Sequence, residues 1–137
     1  MKQRQSSRRE APSGWDRDVP YDIRERTFPF AVRVIRAIRR LPQDAATRVV
    51  AYQLVKSATS VGANVEEADS AESPRDFIHK TSISRKEARE SRYWLRVVRA
   101  AILDVEEFAD LERESDELVR IFSTMIANAK KSQSKSR

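Results

Sequence analysis

Between Gln53 and Leu95 the apolar residues recur at intervals of three and four on both sides of one short break, the period of helices packed along one face. In the first run Val50, Leu54, Ala58, Val61, Val65 and Ala68 fall on a single face. Beside them Gln53, Ser57, Ser60, Asn64 and Glu67 keep the same spacing but are wholly polar. In the second run Phe77, Thr81, Ser84, Ala88, Ser91, Leu95, Val98 and Ile102 form a heptad-like seam. The middle of that seam is small, so a facing helix can approach closely or polar groups can enter the core there.

The break carries its own start signal. Ser73 caps the second run, Pro74 takes the first helical position, and Asp76 at the third can return a hydrogen bond. The run before it extends from about Ala45 to Glu72 and tolerates Gly62, at a cost of about 1 kcal/mol relative to alanine. A close backbone crossing at Gly62 would explain it. Upstream, Thr27 is the expected N-cap of a first helix, with Pro29 in its first turn and Pro42 as its terminator. Phe28, Ala31, Val34, Ile35, Ile38 and Leu41 are its expected core stripe. The helix begun at Pro74 reaches about Leu103, and residues 104–117, with eight acidic groups and one arginine, contain the turn into a fourth helix. That last helix carries Leu111, Leu118, Phe122, Met125 and Ala129, and fraying is expected from Ser132. Four amphipathic helices with short connections predict an all-α, antiparallel up-down-up-down four-helix bundle over residues 21–131. Residues 1–20 and 132–137 are expected to be disordered basic tails.

At 137 residues the chain is one domain's worth, and two glycines with five prolines disfavour a β fold of many turns. Without cysteine there is neither a disulfide framework nor a thiol nucleophile. No apolar run approaches the roughly 18 residues of a membrane span. The N-terminus lacks the apolar segment of a secretory signal, so a cytoplasmic protein without membrane contact is expected. The net charge of +6 is placed at the ends. Residues 21–127 hold eighteen groups of each sign.

From Ser57 to Leu95 the chain closely resembles a known family. The matching pieces are Gln53-Leu54, the run SATSVGANVEEA from Ser57 to Ala68, DFIHK from Asp76 to Lys80, and SRKEARESRYWL from Ser84 to Leu95, with Phe30-Ala31 also fitting. The family is the bacterial four-helix-bundle family first found encoded in intervening sequences of large-subunit (23S) rRNA genes. The resemblance spans about residues 23–127. It implies a four-helix bundle, often a homopentamer, with no established enzymatic activity and no cofactor. A related branch, the accessory variability proteins of diversity-generating retroelements, is similar in shape and works with a reverse transcriptase and nucleic acid.

The strongest charge feature is Arg85, Arg89, Arg92, Arg96 and Arg99, spaced four, three, four and three along the third helix. With Arg33, Arg36, Arg39 and Arg40 on the first helix, they could track a phosphate backbone of RNA or DNA, and Tyr93 and Trp94 could stack on bases. The competing reading pairs these arginines with the acidic segment 104–117, in the same chain or in a neighbouring subunit. A polar network of Ser60, Asn64, Glu67, Lys80, Lys86, Glu87 and Glu90 is expected between the second and third helices, fixing their register. A di-metal carboxylate site is disfavoured, because His79 is the single histidine and no glutamate stands three residues before it. Arg75 and His79 stand closer than the Arg–His motif of HEPN-type ribonucleases requires. No glycine-rich phosphate loop or nucleophile triad is present. The function expected is a non-enzymatic oligomer that binds RNA or DNA through basic stripes on the first and third helices. The alternative is a protein-interaction scaffold or accessory subunit of a nucleic-acid enzyme such as a reverse transcriptase.

Overall fold

The computed structural model describes residues 21–135, with side chains from Ile23 onward. The tail expected over residues 1–20 lies outside the described residues. Four helices follow one another: α1 (Tyr21–Ile38), α2 (Ala45–Asp69), α3 (Pro74–Ala101) and α4 (Glu106–Lys135). Each packs on its neighbours in sequence, α4 closes on α1, and the diagonal pairs α1/α3 and α2/α4 do not touch. This is the antiparallel up-down-up-down four-helix bundle.

The caps explain where α2 and α3 begin. Asp44 accepts hydrogen bonds from the Thr47 backbone N–H at 2.9 Å and from its hydroxyl at 3.1 Å. Ser73 accepts from the Asp76 N–H at 3.0 Å, with Pro74 opening α3. Both side chains satisfy donors that the first turn leaves unpaired. Helix α2 stops at Asp69, short of Glu72, where the Ser70 and Ala71 N–H groups turn back to Glu67 and Ala68. At the other end of the bundle Ile102 and Leu103 both donate to the Val98 carbonyl, so α3 closes just before its expected end. Helix α4 continues to Lys135, past Ser132.

Helix α1 departs most from its sequence pattern. It starts at Tyr21, so Thr27 is an interior residue and Pro29 an exposed interior proline. The buried stripe is Ile23, Thr27, Phe30, Val34, Ala37 and Leu41, whereas Phe28 is 72% exposed and Ala31 and Ile35 are only half-buried. Thr27 packs on Gly62, where an added Cβ would sit 3.4 Å from the threonine side chain. The close crossing at Gly62 is therefore with α1, and it sets the rotation of α1 about its axis.

The core between α2 and α3 is partly polar. Ser57, Ser84 and Ser91 are fully buried, and the small seam lets the helices approach closely enough to link them. The Ser91 hydroxyl lies 2.9 Å from the Ser57 hydroxyl, and Ser84 donates to the Val61 carbonyl of the facing helix at 2.9 Å. Short hydroxyls can also reach their own backbone: Ser57 donates to Leu54 at 3.1 Å. Burial therefore leaves these groups partnered.

Candidate nucleic-acid interface

The phase of α3 is fixed by its buried seam, which turns Phe77, Ser84, Ser91 and Val98 inward. The arginine that follows each of the last three positions flanks the seam on the α4 side. Arg85 donates to the Ser123 hydroxyl at 3.2 Å. Arg92 pairs with Asp116 at 2.6 Å, and Arg99 with Asp104 at 3.0 Å and Glu112 at 2.8 Å. Those two carboxylates, Asp104 first, push the Arg99 guanidinium above its usual range. Arg89 and Arg96 lie one step further round and are exposed. The expected stripe of five is thus divided, with three arginines turned to α4 and two to solvent.

Helix α1 is divided in the same way. Arg33 reaches Glu107 of α4 with two bonds of 3.3 and 3.4 Å, while Arg36, Arg39 and Arg40 are exposed. Arg26, which the sequence pattern did not single out, holds Glu114 at 2.6 and 3.0 Å. Within residues 104–117 the remaining carboxylates Glu106, Asp110 and Glu117 are met by Arg113 and Arg120 of α4 itself. Every acidic side chain of that segment has an arginine of the same chain against it. The in-chain pairing reading therefore holds for Arg33, Arg92 and Arg99. Because α1 and α3 are diagonal, their free cations also point to opposite sides of the bundle and form no common track.

What α3 presents outward is a different set, running from the side opposite its seam at Arg75 and Lys86 round to the α4-side cleft at Arg96. Arg75, His79, Lys86, Arg89, Tyr93 and Arg96 are all exposed and share one face at spacings of three, four and seven. Arg75, Lys86, Arg89 and Arg96 form no ion pair among the described residues. Tyr93 is 56% exposed and meets Trp94 edge-on at 5.0 Å between ring centroids. Trp94 packs against the core and donates to Glu90 at 3.3 Å, so it is not offered for stacking. Arg75 and Lys86 were missed as members of this face. The seam would have revealed them, since they lie half a turn from it.

The expected polar network is local rather than continuous. Asn64 donates to the Ser60 carbonyl at 2.9 Å and hydroxyl at 3.1 Å within α2, and Lys80 reaches Glu67 across the groove at 4.0 Å. Lys86 points to solvent. Burial, then the neighbouring Glu90, pushes the Glu87 carboxyl above its usual value against the pull of Lys86 and Lys56. The serines, not the charged residues, join α2 to α3 in the core. Among the described residues no cluster of metal-ligating side chains occurs, and no helix is long and apolar enough to cross a membrane.

The family described as 23S rRNA-intervening sequence protein matches residues 20–124. A crystal structure from Bacteroides thetaiotaomicron, of a protein with unknown function from the S23 ribosomal protein family, superposes with a TM-score of 0.70 at 31% identity. That similarity covers 76% of this chain and 97% of the other. No curated protein matches. The match over most of the bundle and the shared architecture lead to one conclusion: the chain belongs to the 23S rRNA-intervening sequence protein family.

Proposed function

We propose that this chain is a non-enzymatic bundle protein that binds RNA or DNA along the outer face of α3. The observation that carries the reading is the single-sign face of Arg75, Lys86, Arg89 and Arg96 with Tyr93 exposed among them. From position 75 to 96 it runs about 30 Å at 1.5 Å per residue, long enough to follow several phosphates. Of these four, Arg96 also lines the α3/α4 cleft beside Glu112 and Asp116, which are themselves bonded to Arg99 and Arg92.

The test is filter binding to RNA and DNA at two salt concentrations, with the four cations changed together to glutamine. Wild-type affinity should fall steeply with salt, and the variant's salt slope should be shallower by about three. A flat salt response, or a variant that binds like wild type, sinks the reading. Arg92→Gln serves as control, since its loss should weaken packing on α4 and leave binding in place.

The exposed Phe28, followed by half-exposed Val32 and Ile35 at helical spacing, favours a second reading in which α1 seats another copy or a protein partner. Self-association would make the chain an oligomeric scaffold. Light scattering across micromolar concentrations tests this, and a monomer throughout, unchanged by Phe28→Ser, removes it.

A further inference from the structure

At the turn between α1 and α2 the bundle carries an open groove of about 440 Å³. Its floor is apolar, made by Ile38, Leu41 and Val55, and Tyr52 stands at its side. Tyr52 is 64% exposed and makes no ring contact or hydrogen bond among the described residues. Leaving so large a ring in water forgoes the burial that aromatic side chains otherwise gain. The rim is cationic. Arg39 and Arg48 line the groove, and Arg36 and Arg40 are exposed on the same end of α1. Arg48 spends one donor on the Gln43 carbonyl at 3.3 Å, and its remaining donors stay available. Asp44 caps α2 through Thr47, and its charge also acts on Arg48.

An apolar slot of this volume is within the range of about 300–1,000 Å³ seen for small-ligand clefts. Its chemistry asks for a flat apolar group joined to an anion: a face for Tyr52 and charge for the guanidinium forks. We propose that this groove is a binding site for one unpaired nucleotide, with the base against Tyr52 and the phosphate between Arg39 and Arg48. The site rests on the nucleic-acid reading for its choice of ligand, but shares no residue with the α3 face. The groove would hold a strand end or a flipped-out base at the α1–α2 turn.

The experiment uses the full chain and adenosine 5′-monophosphate, with adenosine and inorganic phosphate as the two half-ligands, followed by calorimetry and by amide shifts in NMR. The nucleotide should bind more tightly than either half, shifting residues of the α1–α2 turn. Tyr52→Ala should weaken it on the order of tenfold, Tyr52→Phe should not, and Arg39→Gln with Arg48→Gln should reduce its salt dependence. Tyr52 is exposed, so circular dichroism of both Tyr52 variants should match wild type. Absence of binding at millimolar nucleotide overturns the proposal, as does equal binding by Tyr52→Ala or shifts confined to the α3 face. If the groove is silent while polynucleotide still binds through α3, the site alone has failed. If the groove binds while the α3 variant loses nothing, it is the α3 reading that has failed.

Discussion

Thr81 sits in the α2/α3 seam with its hydroxyl buried and, among the described residues, without a hydrogen-bond partner. Valine has nearly the same shape and no group to leave unpaired. Thr81→Val should raise stability by about 1 kcal/mol in urea unfolding, because an unsatisfied buried hydroxyl costs about 1–3 kcal/mol. Glu87 carries a related burden on the rim of the same groove. Its folded pKa is raised above the usual 4.5, by burial first and Glu90 second. The folded state therefore holds that proton more tightly than the unfolded chain does. Stability falls as pH rises through the interval between the two values and stays lower above it. Glu87→Gln should melt at a higher temperature than wild type at pH 8, with the gap closing as pH drops through that interval. Serine was legible at this scale as a small residue permitting close approach. Which polar groups would be shared across the seam was not legible, because Ser57 and Ser60 belong to one polar stripe and only the facing helix chooses between them.

Single elements were legible wherever a cap spoke unambiguously. Ser73-Pro74-Asp76 fixed the start of α3, and Pro42 marked the exit from α1. Helix α1 itself was misphased because Thr27-Phe28-Pro29 imitates a start signal, and because two apolar stripes compete on that helix. Gly62 of α2 decides between them by accepting Thr27 rather than Phe28. The cap of α2 gives an acid-dependent prediction. Asp44 has its pKa lowered below 3.8, chiefly by the Thr47 N–H and then its hydroxyl. Its contribution is thus complete above that value and lost as pH falls through the lower folded one. Serine caps without titrating in this range. Asp44→Ser should therefore lose less of its melting temperature than wild type between pH 5 and pH 2, as followed by circular dichroism. Equal losses would mean that the cap does not contribute to acid sensitivity.

Across the whole molecule, the bundle could be read from the period of its apolar residues, while the arrangement of charge could not. Arg85, Arg92 and Arg99 share the seam's own heptad spacing, so the sequence left open whether they faced water or α4. Tertiary contact resolves it, turning a net-neutral middle of the chain into an internally matched acidic helix start and a cationic outer face on α3. The α1/α4 seam shows the same economy. It is the sparsest of the four helix contacts and is bridged by Arg26–Glu114 and Arg33–Glu107. A double-mutant cycle on Arg26 and Glu114 should give a coupling of about 0.5–1 kcal/mol in urea melts, reduced in 1 M salt. No coupling at low salt would show that the pair is only geometric. Tension drawn on the amino end would meet those two ionic clasps in succession, and with them the apolar layer that Ile23, Phe30 and Val34 lend to the common core.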